Sequence, residues 1–220
     1  MTDSTTSEFQ DWDERWRTET GRADWLVPGQ EVSERARAAY DSGARQALDL
    51  GCGVGRHALA LADIGFEVDA FDVSRTGLAE VSAKAEKHGL SVGTHIGNMT
   101  ELPFTDGSYD FLVSWNVIYH GDEPDLRQAI AETHRVLRPS GTMLVTMLSK
   151  RNSDFGIGRE VSKNFWVDPH AEADKAHPHY FCDAREAVDL FSAFDIRSLV
   201  DVEQRGKPGN GLWHIVAERT

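Results

Sequence analysis

Short apolar runs alternate along the chain with longer segments in which apolar side chains recur every three to four positions. The short runs predict buried strands and the longer segments predict amphipathic helices, because side chains repeat with a period of about 2 in a strand and about 3.6 in a helix. The regular alternation of strand and helix predicts an α/β fold with a largely parallel sheet and helices on both faces.

The elements are bounded by glycine, proline and capping residues. Strands are predicted at residues 47–50, 68–71, 91–96, 111–115, 142–148, 196–202 and 213–217. Helices are predicted at residues 30–41, 56–64, 75–88, 124–137 and 184–191, after a short aromatic helix before Gly21. The turn at residues 208–211 predicts that the last two strands form a hairpin, so that the last strand is antiparallel.

With 220 residues the chain is long enough for one domain with a sizeable core, and a single domain over residues 1–220 is expected. Residues 1–8 are polar and are expected to be disordered, and residues 9–43 are expected to form an N-terminal helical cap. Glycines, prolines and isolated aromatic residues interrupt the pattern at residues 149–180, which predicts an irregular, lid-like insertion.

A glycine-rich turn follows the first predicted strand, and Asp72 ends the second strand. The alternate glycines of residues 51–55 let the chain reverse and let a ligand approach the backbone, while an acid at the next strand end can bind both ribose hydroxyls. A dinucleotide-binding turn has a third glycine where this chain has Arg56, so the spacing disfavours a dinucleotide. The alternative is a turn without a ligand, in which Asp49 is buried and caps a helix.

Led by Asp49, the Gly-x-Gly-x-Gly spacing resembles motif I of the class I S-adenosylmethionine-dependent methyltransferases. Further strings similar to that family are Leu102-Pro103-Phe104, Tyr109-Asp110-Phe111 and the run 137–141, so the resemblance covers about residues 45–150. It implies a Rossmann-like fold with a seven-stranded, mostly parallel sheet, an antiparallel last strand and helices on both faces. It also implies S-adenosyl-L-methionine as cofactor and S-adenosyl-L-homocysteine as product.

The resemblance implies which residues hold this cofactor. Asp49 is expected near the methionine ammonium, directly or through water, and Asp72 is expected at the ribose. Asn98 stands where the family commonly has an Asp that accepts from the adenine amino group, and an amide oxygen can accept the same bond. The complete expected set is Asp49, Gly51, Cys52, Gly53, Gly55, Asp72, Val73, Ser74, Asn98, Met99 and Asn116.

Tyr119 and His120 follow the fourth predicted strand, at the edge where ligands of open parallel sheets bind. They are candidates for acceptor contact or proton removal, although His120 could instead be a polar cap at the surface. The early tryptophans are expected either to line the cleft or to pack their helix against the sheet. The expected acceptor-contacting set is Trp12, Trp16, Tyr119, His120 and His179. Methyl transfer from a sulfonium is an in-line displacement that needs a base only for a protonated acceptor.

The net charge of −13 at pH 7 argues against a nucleic-acid partner, because such proteins present a basic face. No apolar stretch is long enough to span a membrane, and the first residues lack the pattern of a signal peptide, so a cytoplasmic protein is expected. Cys52 and Cys182 are expected to be reduced. A small-molecule acceptor fits this composition, and both a monomer and a homodimer stay open.

Several histidines and acids lie between residues 168 and 179, but their spacing is not that of a metal site and no cysteine pair accompanies them. These residues are Asp168, His170, Asp174, His177 and His179. No metal is therefore expected, and the segment is expected to be a solvated lid.

The carboxyl-terminal third resembles a subgroup of small-molecule methyltransferases that includes tellurite-resistance and thiol-directed enzymes. The similar strings are His179-Tyr180-Phe181, Phe194-Asp195-Ile196 and the run 213–219. An Asn-Pro-Pro-Tyr motif is absent at residues 116–119, which disfavours N-methylation of DNA or of protein glutamine. Two alternatives stay open: a regulatory protein that binds the cofactor without transfer, and a nicotinamide-dependent oxidoreductase, which Arg56 disfavours.

Overall fold

The structure is a computed structural model that describes residues 12–171, 177–203 and 209–220. The expected disorder of residues 1–8 lies outside these ranges. The helices are residues 12–17 (α1), Glu19–Ala23 (α2), Gln30–Asp41 (α3), Arg56–Ile64 (α4), Arg75–His88 (α5), Glu123–Val136 (α6) and Ala184–Leu190 (α7), with a 3₁₀ turn at Ile118–His120. The strands are Gln46–Leu50 (β1), Glu67–Asp72 (β2), Val92–Ile96 (β3), Tyr109–Ser114 (β4), Leu137–Ser149 (β5), Arg159–Ser162 (β6), Phe165–Val167 (β7), His179–Cys182 (β8), Phe194–Glu203 (β9) and Gly211–Arg219 (β10).

Helices α3, α4 and α5 have the predicted bounds, because local signals fix their ends. At the start of α5 the Ser74 hydroxyl accepts a hydrogen bond from Gly77 N, and the left-handed Gly89 follows its last residue. The N-terminal cap differs from the prediction. The single aromatic helix expected before Gly21 is two short helices, and Gly21 lies inside the second one.

The predicted sheet is present, with the strand order β3-β2-β1-β4-β5-β10-β9. Strands β1 to β5 pair in parallel, and β10 is antiparallel to both β5 and β9. The direction in which the chain adds strands reverses between β1 and β4. A crevice therefore opens beyond the carboxyl ends of these two strands, where open α/β sheets bind their ligands.

Within the described residues the sheet has ten strands, rather than the seven predicted, because the segment expected to be irregular contains β6 and β7 and leads into β8. Strands β6 and β7 are antiparallel, and β7 pairs with β8. Strand β8 then joins β5 at Leu148 and Ser149, beyond the point where β4 ends opposite Val145. The described part of the insertion is thus an extension of the sheet at the carboxyl end of β5.

Both faces of the sheet are covered, as predicted for parallel strands. Neighbouring residues of β1 enter different cores: Leu48 packs in the core that includes residues of α6 and α7, and Ala47 packs in the core that includes residues of α3, α4 and α5. Alternate side chains of a strand point to opposite faces, so a strand buried on both sides is apolar throughout. This burial fixes the carboxyl ends of β1 and β4 as rigid edges of the crevice.

Within the described ranges, no helix combines the length and the apolar character needed to cross a membrane.

Candidate cofactor and acceptor site

The glycine-rich turn at residues 51–55 joins β1 to α4 and is tied to β2. All three of its glycines have positive φ, at 73°, 53° and 84° along the chain. Gly51 N and Cys52 N both donate hydrogen bonds to the Phe71 carbonyl, at 2.8 and 3.1 Å. The backbone of the turn is therefore held in one shape, in which Gly51 and Gly53 line the crevice, and an added Cβ would meet Val117 at Gly51 and Trp16 at Gly53.

Asp72 fixes the turn from the end of β2. Its Oδ2 accepts from Gly53 N at 2.7 Å and its Oδ1 accepts from Ser74 N at 2.8 Å. Burial raises the pKa of this carboxyl, while these backbone N–H groups act in the opposite direction. A carboxylate has about four lone-pair positions, so Asp72 keeps acceptor capacity toward the crevice that it lines.

Asp49, which was expected near the methionine ammonium directly or through water, is not among the residues that line the crevice. Its side chain is 1% exposed, and its Oδ2 accepts from Ala58 N in the first turn of α4 at 2.8 Å. Burial raises its pKa to about 7. Asp49 is thus a buried carboxyl that caps a helix, which is the alternative that the sequence left open. It supports the turn from the side away from the crevice.

Gly55 and Ser74 also lie behind the crevice, although both were expected to bind the cofactor. Ser74 caps α5 and donates its hydroxyl to Asp13 Oδ1 at 2.9 Å, so it links the N-terminal cap to the sheet. Helix α5 comes very close to the turn at Gly77, where an added Cβ would lie 2.6 Å from the Gly53 carbonyl oxygen. The turn is thus packed between β2 and two helices.

The other expected cofactor residues meet in one cavity at the carboxyl ends of β1, β2 and β4. They are Gly51, Cys52, Gly53, Asp72, Val73, Asn98, Met99 and Asn116. Trp12, Trp16 and His120, expected at the acceptor, line this same cavity. We call it the cofactor cavity.

Asn98 has an amide orientation that differs from the one expected. Its Oδ1 accepts from both the backbone N and the hydroxyl of Thr100, each at 3.0 Å. A backbone N–H can only donate, so this pair opposes a flip of the amide. The Nδ2 group is then the part of Asn98 left to face a ligand, and it can only donate a hydrogen bond.

Three tryptophans of the N-terminal cap form the outer wall of the cofactor cavity. Trp12 stacks on Trp16 with ring centroids 5.5 Å apart, and Trp25 meets both rings edge-on at 6.3 and 5.7 Å. His120 closes the wall, with its ring 5.4 Å from Trp12. Electron-rich ring faces attract cations, so this wall suits a positively charged group as well as an apolar one.

A second cavity adjoins the first, and we call it the acceptor cavity. Its lining includes Tyr119 and His179 from the expected acceptor set, together with Trp166 and Phe181. Three residues line both cavities, and we call them the junction: Trp25, Arg56 and Asn116. The backbone N of Asn116, which has a φ of 62°, donates to Thr146 Oγ1 at 2.7 Å.

Tyr119, His120 and His179 form an aromatic cluster beside the junction. The ring of His120 lies 4.9 Å from that of Tyr119 and 4.6 Å from that of His179. Burial, with His179 and His177 nearby, holds the pKa of His120 well below its usual range, so the ring is neutral at pH 7. His120 is therefore no surface cap. In the segment expected to be a solvated lid, Pro169 and His170 are exposed and His177 is buried, and residues 172–176 lie outside the described ranges.

Several lining residues were not among the site residues chosen from the sequence. They are Trp25, Arg56, His57, Trp115, Val117 and Asp125 in the cofactor cavity and Trp166 and Phe181 in the acceptor cavity. In the sequence, Arg56 stands out only because a dinucleotide-binding turn has glycine at that position. Its place as the first residue of a helix at the ligand edge was the available signal.

The cysteines are free and buried, as expected. Burial raises the pKa of both thiols, which therefore stay protonated at neutral pH. In the part of the chain that the structure describes, no three histidines, cysteines or acids are arranged as ligands of a metal ion. Asp174 lies outside that part.

An open α/β sheet with a glycine-rich turn and an acid at the next strand end is typical of proteins that bind a nucleoside-containing cofactor. Comparison with known proteins indicates the family. Residues 47–141 match the family model of a methyltransferase domain. A probable S-adenosylmethionine-dependent methyltransferase of Mycolicibacterium smegmatis is 34% identical over 128 residues, which are 58% of this chain and 47% of that protein. Methyltransferase GfsG of Streptomyces halstedii is 27% identical over 184 residues, which are 82% of this chain and 64% of that protein.

The chain spans about half to just under two thirds of the length of the first curated relatives that it matches. Among solved structures, Burkholderia thailandensis 1,6-didemethyltoxoflavin-N1-methyltransferase, with bound 1,6-didemethyltoxoflavin and S-adenosylhomocysteine, superposes with a TM-score of 0.73. It is 20% identical, and the match covers 100% of this chain and 92% of that one. These comparisons confirm the predicted fold class, and the match over residues 47–141 and the curated relatives support the predicted family, the class I S-adenosylmethionine-dependent methyltransferases.

The raised pKa of Asp49 has a consequence for stability. An acid with a higher pKa in the folded state stabilises the fold below its unfolded pKa, near 4, and loses that contribution as the pH rises through about 7. As the pH rises from 4 to 8, the free energy of unfolding of Asp49→Asn should therefore increase relative to that of the wild type by on the order of 4 kcal/mol. Urea unfolding over this range checks it. Asp63→Asn, an exposed change in α4, is the control, and parallel profiles for wild type and Asp49→Asn would contradict the prediction.

The close approach at Gly77 predicts a change that improves the helix and damages the turn. Alanine favours a helix interior by about 1 kcal/mol over glycine, but its Cβ would push the Gly53 carbonyl out of place. Gly77→Ala should weaken binding of S-adenosylhomocysteine by about ten-fold or more in calorimetry. Ser82→Ala in the exposed face of α5 should leave the affinity unchanged. Equal affinity for Gly77→Ala and the wild type would show that the turn tolerates the shift.

Proposed function

We propose that this protein transfers the methyl group of S-adenosylmethionine to a small-molecule acceptor held in the acceptor cavity. The observation that carries the proposal is the junction, because the cofactor cavity and the acceptor cavity share Trp25, Arg56 and Asn116. An in-line displacement requires the donor and the acceptor atom to meet at one point in a water-poor cleft.

The residues of the cofactor cavity fit this cofactor. The side-chain-free backbone at Gly51 and Gly53 allows close approach, and the Asp72 carboxylate keeps the capacity to bind ribose hydroxyls. Asn98 can donate from Nδ2 to a ring nitrogen of adenine, in place of the accepting role common in the family. Trp12 and Trp16 line the cavity with aromatic surface, although they stack on each other and Arg15 already lies 5.6 and 6.0 Å from their ring centroids.

When bound, the cofactor supplies an electrophilic methyl group that needs no further activation. The chain's own residues have the remaining tasks. The cap tryptophans line the cofactor cavity and residues of the β6–β8 extension line the acceptor cavity, where their apolar side chains are proposed to limit water. Asn116 is fixed at the junction by its bond to Thr146. Tyr119 and His179 are proposed to contact the acceptor from the cavity that they line.

His120 is proposed as the base for acceptors that carry a proton. Its ring is neutral at pH 7, and its Nδ1 is buried without a hydrogen-bond partner among the described residues. A neutral ring nitrogen can accept a proton from a hydroxyl, a thiol or an ammonium group within hydrogen-bond distance. Thiols, the acceptors of the thiol-directed subgroup, are one class among these acceptors.

Ligand binding tests the proposal against its alternatives. S-adenosylhomocysteine at about a hundred times its Kd should raise Tm by about 5 °C or more, whereas NAD at the same concentration should not. The wild type should then form S-adenosylhomocysteine in the presence of thiols, phenols, amines or oxyanions. A shift with NAD alone would support an oxidoreductase. A shift with S-adenosylhomocysteine but no turnover across the panel would support a regulatory protein.

The role of His120 predicts a dependence on the acceptor. His120→Gln should lower kcat by about a hundred-fold for acceptors that are protonated at the assay pH, and should barely change kcat for acceptors that are already anions. Because its pKa is lowered, the acid limb of kcat/KM should lie below pH 6.5 in the wild type. An equal loss of kcat with both kinds of acceptor, at unchanged affinity for S-adenosylhomocysteine, would contradict a role as base.

A further inference from the structure

Arg56 is a cation at the junction without a hydrogen-bonded counter-ion. Its guanidinium lines both cavities and lies 4.9 Å from the ring centroid of Trp25. Among the described residues, no hydrogen bond or ion pair to this guanidinium is formed. Buried or half-buried charges in proteins are normally paired, so an unpaired cation in a ligand cavity indicates that the ligand brings the anion.

The nearest acid does not replace such an anion. Asp49 attracts Arg56, but its Oδ2 is engaged by Ala58 N. Burial also raises the pKa of Asp49 to about 7, so this carboxyl carries only part of a negative charge at neutral pH. Burial of Arg56 itself disfavours the charged form of its guanidinium and lowers its pKa. A negatively charged group placed against the guanidinium would offset this cost.

The residues around Arg56 favour an anion that belongs to the acceptor rather than to the cofactor. Tyr119, which interacts with Arg56, lines the acceptor cavity and not the cofactor cavity. The methionine part of the donor carries a sulfonium, an ammonium and one carboxylate, so it brings a net positive charge into the same cleft. An anion on the acceptor side reduces the repulsion between the two cations, which is strong where water is scarce.

The charges in the rest of the acceptor cavity favour one orientation of the anion. Apart from Arg56, the charged side chains of its lining are one arginine and three acids, none of which lines the cofactor cavity: Arg15, Asp24, Asp154 and Asp168. Repulsion from these acids and attraction by Arg56 both place a negative group at the junction. Trp25, Trp166 and Phe181 supply flat apolar surface for the rest of the molecule.

We infer that Arg56 selects acceptors with a carboxylate, which it holds at the junction while an aromatic body lies against the tryptophans of the acceptor cavity. A guanidinium binds a carboxylate through two parallel hydrogen bonds, whereas an isosteric carboxamide offers one acceptor oxygen and no charge. The inference rests on the proposed function and names the substrate class of that site.

The test uses binding, so it does not depend on turnover. Protein saturated with S-adenosylhomocysteine is titrated by calorimetry with matched pairs: 4-hydroxybenzoate and 4-hydroxybenzamide, 2-mercaptobenzoate and 2-mercaptobenzamide, indole-3-carboxylate and its amide. In the wild type the carboxylate of at least one pair should bind about ten-fold tighter than the amide. Arg56→Gln should reduce that ratio to less than two-fold, and Arg56→Lys should keep part of it.

Arg75→Gln is the matched control, because Arg75 is the first residue of α5 as Arg56 is of α4, yet it is exposed and lines neither cavity. This variant should keep the full ratio. Because Arg56 also lines the cofactor cavity, the folding of Arg56→Gln is checked by its Tm without ligand, which should match that of the wild type.

Two results would overturn the inference alone. One is binding of S-adenosylhomocysteine without a preference for the carboxylate in any pair. The other is a ten-fold loss of affinity for S-adenosylhomocysteine in Arg56→Gln, with unchanged affinity for its decarboxylated analogue, because Arg56 would then hold the cofactor's own carboxylate. Failure of the wild type to bind S-adenosylhomocysteine would overturn the proposed function and the inference together.

Discussion

Two buried carboxyl groups that accept backbone hydrogen bonds determine the shape of the ligand edge. Asp72 holds Gly53 from β2, and Asp49 holds Ala58 from β1. Backbone N–H groups at a sharp turn and at the start of a helix have no regular partners, so each needs an acceptor from outside its own element. The two acids supply it, and the turn between them becomes a fixed surface on which the tryptophan wall and the junction depend.

Local signals made much of the fold predictable. Helices α3, α4 and α5 are bounded by glycine or a capping serine, and the central strands β1 and β4 are short, mostly buried runs. The β6–β8 extension could not be predicted in the same way. Its strands have three or four residues each, and β6 is exposed throughout, so their pairing depends on contacts between distant parts of the chain rather than on a pattern within one segment.

The candidate site was predictable by position but not by role. The sequence correctly placed Asp72, Asn98 and Asn116 at strand ends that meet in one cavity. It could not separate Asp49 from them, because an acid near a strand end can point into the crevice or under the neighbouring helix, and only packing decides. Arg56 was not predicted as a site residue, because the spacing of the glycines describes the backbone of the turn and not the direction of the side chain that follows it.

The two cavities differ in which parts of the chain build them. The cofactor cavity is made largely from strand ends and turns of the central sheet, whereas much of the acceptor cavity comes from the β6–β8 extension, residues 148–181, and from residues 210–212. Substitutions in the extension can therefore reshape the acceptor cavity while the hydrogen bonds of the glycine turn stay intact. Such a division lets one scaffold diversify its chemistry by exchanging a peripheral segment, and it separates the evolution of specificity from that of cofactor use.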